Sequence, residues 1–236
     1  MPYLRDRRLV AAVCLLAFLL VLGGPAQARA AEPTTMAPLL DADLASVDAY
    51  WHQTLAADGR PAPSVGHVWV VPGGQVDTAC GAQASDEAAF YCSADDTIYI
   101  GQAFARALYD GTAAGLPGEK AGFGHAAGGF ALAYVVAHEY AHNVQQESGA
   151  LVGRARALPI ELNADCLAGT WMRWDYGQGK LDATGVQAAL DAALAVGDFD
   201  LLSPQHHGTP QERRDAVLTG VRGGSTQACN RYLLLW

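Results

Sequence analysis

The sequence predicts an α+β domain, mostly helical, with a small sheet in its N-terminal half. Three observations lead there. Apolar residues recur at helical spacing in several segments, most of them after residue 100. Only two runs, Val65 to Val71 and Thr97 to Ile100, are rich in β-branched and aromatic residues, and both lie in the first half. With 51% hydrophobic and 17% charged residues the chain has material for a core, which excludes disorder as its main state.

The elements follow in order. Residues 32–42, rich in Ala, Pro and Thr, read as a flexible lead-in. From Asp43 the spacing of Leu44, Val47, Tyr50-Trp51 and Leu55 predicts a helix ending at Gly59. Pro61 and Pro63 break the chain before the first strand, which Pro72-Gly73-Gly74 closes. A cysteine-containing loop leads to the second strand, Thr97-Ile98-Tyr99-Ile100, and a short helix from Gln102 to Tyr109. The glycine-rich stretch 111–129 reads as a surface loop. Gly129 to Glu147 is apolar nearly all round, as a core helix is. Pro159 to Tyr176 is a second long helix, with Pro in its first turn and Gly177 just beyond it. Thr184 to Val196 makes a third, and Thr209-Pro210-Gln211-Glu212 opens a fourth with capping-box spacing.

The N-terminus has a different character. Arg5, Arg7 and Arg8 precede a 14-residue apolar run, Leu9 to Leu22, followed by Ala-x-Ala sites around residues 26–30. This pattern reads as a secretory signal peptide over residues 1–31. Fourteen residues fall short of the about 20 that span a bilayer, and an uncleaved membrane anchor is the alternative. Cleavage removes four Arg and one Asp, moving the net charge from −9 to −12. An acidic chain without a Lys/Arg cluster excludes nucleic acid as a partner, and no other apolar stretch reaches membrane length. Four cysteines remain: Cys80, Cys92, Cys166 and Cys229. An even number in an exported chain predicts two disulfides, in any of three pairings. Cys80 with Cys92 closes the shortest loop and leaves Cys166 to tie a mid-chain helix to Cys229 near the C-terminus.

Chemistry concentrates on the core helix, in His138-Glu139-Tyr140-Ala141-His142. Two histidines four residues apart lie one turn apart on the same face and can grip one metal ion. Glu139, about 100° round the helix, is within reach of a water beside that ion. Polar residues on a buried apolar helix are costly unless paired or metal-bound. The spacing after His142 offers no third histidine: Gln145 stands where an extended motif has its turn Gly, and Ser148 where it has its His. The next helix offers Glu161 and Asp165, also four apart, so Glu161 is the candidate third ligand and Asp165 the candidate partner for an imidazole N–H. Two imidazoles and a carboxylate suit Zn2+, one per chain.

His138-Glu139-Tyr140-Ala141-His142-Asn143-Val144-Gln145, with Glu161-Leu162-Asn163-Ala164-Asp165-Cys166-Leu167-Ala168-Gly169, resembles the neutral zinc metallopeptidase family of bacteria. Phe90-Tyr91-Cys92 with Asp95 and Thr97 to Ile100 is similar to that family's cysteine loop and edge strand. His207-Gly208-Thr209-Pro210 with Arg213 is similar to its His-Gly-Ser/Thr segment before a helix. Two departures are Ser93, where the family has Pro, and the order Gln211-Glu212. The resemblance implies a zincin-like fold over residues 43–236, with the small sheet beside the active-site helix and an edge strand that holds extended substrate. It implies a secreted or extracytoplasmic zinc peptidase acting on peptides or proteins, with Glu139 as general base. For the oxyanion-stabilising donor the candidate is His207, with His206 beside it as the other choice; Arg213 reads as the partner of a nearby carboxylate. The alternative function is a non-catalytic zinc-binding module that docks an envelope or extracellular partner. Oligomeric state and cleavage specificity are not written in the residues.

Overall fold

The computed structural model describes residues 35–153 and 155–233. The signal-peptide reading, residues 1–31, therefore lies outside the described residues. Helix α1 spans Ala37–Ala57. The strands are β1 (Gly66–Val70), β2 (Gln75–Asp77), β3 (Gln83–Ser85), β4 (Ala89–Cys92) and β5 (Thr97–Gly101). Helices α2 (Gln102–Asp110), α3 (Pro117–Lys120), α4 (Gly129–Glu147), α5 (Leu158–Gly177), α6 (Ala183–Val196) and α7 (Pro210–Gly223) follow. A 3-10 turn, Thr226–Cys229, and the single turn α8, Asn230–Leu233, end the described chain. The architecture is α+β, predominantly helical with a small sheet.

Helix α4 is the axis of the molecule. Every residue from Ala131 to Ala141 is buried, because α1, α2, α5, α6 and β4 all pack on it. On α1, Val47, Tyr50, Trp51 and Leu55 face the core at helical spacing. Polar contacts then fix the register between helices. Tyr140 donates to Asp48 Oδ1 at 2.7 Å, Tyr50 to Thr170 Oγ1 at 2.7 Å and Trp171 Nε1 to Ser46 Oγ at 3.2 Å. Helices α5 and α7 approach so closely that a Cβ on Gly220 would stand 1.9 Å from the Cys166 carbonyl oxygen. A Cβ on Gly169 would stand 2.2 Å from that of Val217. Glycine at both crossings is what lets α7 bring its first turn against α5. Thr209 caps α7 with the capping box its sequence announces.

Three sequence expectations change. The lead-in is shorter than residues 32–42, since α1 already begins at Ala37, with Pro38 in its first turn and Leu40 fully buried. The cysteine loop holds three further strands, two of them only three residues long and so too brief to show alternation. Thr97 to Ile100 is also not at an edge. Strand β5 is central in the order β1-β5-β4, parallel to β1 and antiparallel to β4, with Thr97 opposite both Gly66 and Cys92. Among the described strands, the one that packs on α4 and has an unpaired side is β4. The turn joining β4 to β5 places Asp96 in the left-handed region (φ 52°). Its Oδ1 accepts from Tyr91 Oη and from Asn143 Nδ2 on α4, which pins the hairpin to the axis helix.

Candidate metal centre

The α-helical repeat puts His138 and His142 on one face of α4, with Nε2 atoms 3.1 Å apart. Glu161, in the first turn of α5, closes the triangle. Its Oε2 is 3.1 Å from His138 Nε2 and its Oε1 3.5 Å from His142 Nε2. Among the described residues this is the one place where three such ligand atoms converge. A tetrahedral zinc with bonds of about 2.0–2.1 Å separates its ligand atoms by roughly 3.3 Å, so these donors fit one such ion in type and spacing.

Groups behind the donors hold them in place. His138 Nδ1 is 2.9 Å from Asp165 Oδ1, the partner the sequence suggested. Asp165, fully buried, also accepts Arg213 Nε at 2.8 Å on Oδ2, and Arg213 Nη2 at 2.9 Å and Tyr134 Oη at 2.6 Å on Oδ1. Burial pushes the Asp165 carboxyl up, but Arg213 and His138 outweigh it and hold it below its ordinary range. Burial likewise opposes charge on His138, yet Asp165 and Glu161 raise its imidazole to about 10. Glu161 is pulled well below the usual carboxylate range, against burial, by His142, His138 and Arg213. His142 Nδ1 meets the Oε1 of Gln145 at 2.8 Å, a partner that sequence reasoning did not assign. Its only signal was a polar side chain on the buried side of an apolar helix.

The centre opens onto a cavity of about 170 Å³ lined by His138, Glu139, Glu161, Tyr134 and Arg213 on its polar side. Ala89, Phe104, Val135 and Val196 form its apolar wall. The Glu139 side chain has no hydrogen-bond partner among the described residues. A larger cavity of about 480 Å³, between the C-terminal halves of α1 and α5, brings together no such ligand set.

His207 is not brought to the centre. It is half-exposed, with Nδ1 3.6 Å from Asp198 and its backbone N–H donating to the same carboxylate. His206 is buried, but it too faces Asp198, at 2.5 Å. Asp198 gathers both because the loop before α7 folds back on itself. Arg213, one turn into α7, is the cation that reaches the cavity. The four cysteines form Cys80–Cys92 and Cys166–Cys229. Among the described residues no helix is long and apolar enough to cross a membrane.

The chain is similar to known proteins along most of its length. Residues 23–232 match a family described as "putative neutral zinc metallopeptidase". The uncharacterized protein Rv2575 of Mycobacterium tuberculosis is 34% identical over 217 residues, covering 79% of this chain and 67% of its own. The uncharacterized protein YpfJ of Escherichia coli is 35% identical over 183 residues, covering 67% of this chain and 59% of its own. No solved structure matches. The matched region takes in both metal-centre helices and runs through α7, and on that extent the chain belongs to the neutral zinc metallopeptidase family.

Proposed function

We propose that this chain is an exported zinc-dependent peptidase in which Glu139 acts as general base. The observation that carries the reading is the Glu139 side chain, without a hydrogen-bond partner among the described residues, in a cavity that borders the His138, His142 and Glu161 donor set. Those three residues would hold the ion. Zinc, when bound, supplies a Lewis acid that polarises a carbonyl and acidifies water. Glu139 takes a proton from the water that attacks the scissile carbonyl and delivers it to the departing amine, so one C–O bond forms and one C–N bond breaks. Arg213 and Tyr134 hold Asp165, which in turn keeps the His138 ring in place. A purely structural zinc would ask for a fourth protein ligand. Three converge among the described residues, which favours catalysis over the binding-module alternative.

The substrate is a peptide or protein. The outer side of β4, unpaired among the described strands, suits an extended backbone, and Ala89 of that strand borders the cavity. The apolar wall of Phe104, Val135 and Val196 suits an aliphatic side chain next to the scissile bond. The disulfides support an extracytoplasmic site of action, with residues 1–31 as the export signal. The test is hydrolysis of fluorescent, unfolded casein by zinc-loaded protein with Glu139→Gln run beside it. Cleavage by the first and not the second is expected; equal turnover by both would sink the mechanism.

A further inference from the structure

The two candidate zinc-ligating imidazoles are steadied from behind in different ways, and the second way reaches the end of the chain. His138 leans on a charged group, Asp165. His142 leans on a neutral amide, Gln145. That amide is one link in a buried row. Gln145 Nε2 donates to Asn163 Oδ1 at 2.9 Å and to the Ile160 carbonyl at 2.8 Å, and Asn163 Nδ2 donates to the Cys229 carbonyl at 3.0 Å. Gln145 and Asn163 are 1% and 2% exposed, so no solvent competes for these bonds.

The direction of the row is dictated by its far end. A backbone carbonyl can only accept, so the Asn163 amide must turn its NH2 to Cys229 and its oxygen to Gln145. Gln145 must then turn its NH2 to Asn163 and Ile160, which leaves its oxygen facing His142. An oxygen there requires a proton on His142 Nδ1, so the lone pair lies on Nε2, the nitrogen that faces His138 and Glu161. Cys229 is fixed in turn by its disulfide to Cys166, three residues beyond Asn163 on α5. The Ile160 bond also ties Gln145 to the residue before Glu161, so one amide braces ligands on both helices.

We propose that Gln145 and Asn163 are positioning residues through which the Cys166–Cys229 disulfide holds His142 in its ligating tautomer and orientation, so that this disulfide sets metal affinity. The inference rests on reading His138, His142 and Glu161 as the metal centre. Cys80–Cys92 lies in the separate cluster of Val70, Ala84 and Tyr99 and has no part in the row.

The test measures zinc dissociation constants on purified, oxidised protein by competition with a chromophoric chelator, and the absorption spectrum of the cobalt-substituted protein. Gln145→Leu and the double variant Cys166→Ser/Cys229→Ser are each expected to weaken zinc binding about tenfold or more and to alter the cobalt spectrum. Cys80→Ser/Cys92→Ser is expected to lower thermal stability while leaving zinc affinity within about twofold, which a general loss of stability would not reproduce. In the unmutated zinc-loaded protein, long-range 1H–15N correlations are expected to report a proton on His142 Nδ1, a measurement that needs no variant to fold. A metal-bound Nδ1, or unchanged affinity in either the Gln145 or the Cys166/Cys229 variant, would overturn the relay and leave the metal centre standing. Failure of the unmutated protein to bind zinc would overturn the centre itself.

Discussion

Glu139 and Glu161 carry the same side chain to opposite ends. Glu161 sits among His138, His142 and Arg213, and its carboxylate is held ionised far below its usual range. Glu139 stands at the cavity with no such ring of partners. Exchanging either for glutamine changes few atoms but separates the two uses. Glu139→Gln is expected to keep zinc, measured by metal analysis after dialysis, while hydrolysis falls by about 10²–10⁴-fold, the span typical for loss of a general base. Glu161→Gln is expected to lose zinc on the same dialysis. Retention of metal by Glu161→Gln would remove it from the ligand set. The sequence made this candidate centre legible because the two histidines and the two acids of α5 obey helical spacing, which needs no knowledge of the fold. It did not fix the place of His207, because the position of a loop residue depends on what the loop folds back upon. Here that is Asp198, whose carboxylate meets the His206 ring, the His207 ring and the His207 backbone N–H.

At the scale of elements, the long helices were readable from periodicity and caps. The relations between helices were not, and α5 against α7 is the instructive case. Gly169 and Gly220 read as unremarkable helix residues, yet they set the closeness that delivers Arg213 to Asp165. Gly220→Ala places a methyl against the Cys166 carbonyl, where the backbone must move. It is expected to cost about 1–3 kcal/mol, lowering the melting temperature by roughly 2–12 °C, and to weaken zinc binding through Asp165. An unchanged melting curve would mean that the crossing is looser than described. A second contact, α1 on α5, carries a charge conflict. Burial first, then repulsion from Asp175, raises the Asp43 carboxyl to about 7, and its Oδ2 has no hydrogen-bond partner. The folded state thus binds more protons than the unfolded chain between about pH 4 and 7. Stability from this site falls as pH rises through that window and the penalty is complete above it. Asp43→Asn is expected to gain on the order of 1–2 kcal/mol at pH 8, after screening by solvent, and nothing below pH 4. Denaturant unfolding at the two pH values checks both limbs; an equal gain at each would dismiss titration as the cause.

For the molecule as a whole, the donor set spans two elements that also meet through packing and through the Tyr134–Asp165 and Gln145–Asn163 hydrogen bonds. His138 and His142 belong to α4, and Glu161 to α5, after a ten-residue connection between them. His138, Gln145, Asn163, Asp165 and Arg213 are all buried around this seam, and His138, His142 and Glu161 face one another across it. An ion bound there couples the axis helix to the helix that carries Asp165, Asn163 and Cys166, and through them α7 and the C-terminal turn. Binding the folded chain and not the unfolded one then stabilises everything that α4 and α5 support, by about 2.7 kcal/mol when free zinc is a hundredfold above its dissociation constant. Saturating zinc is accordingly expected to raise the melting temperature by roughly 5–11 °C over chelator-treated protein, with one zinc bound per chain at the endpoint. The rise should vanish in a His142→Ala variant, because the same ion can no longer bridge the helices. A chelator-treated protein that melts with the zinc-loaded one would show that α4 and α5 hold their places by packing and their own hydrogen bonds, and that the ion, if bound, takes no part in the fold.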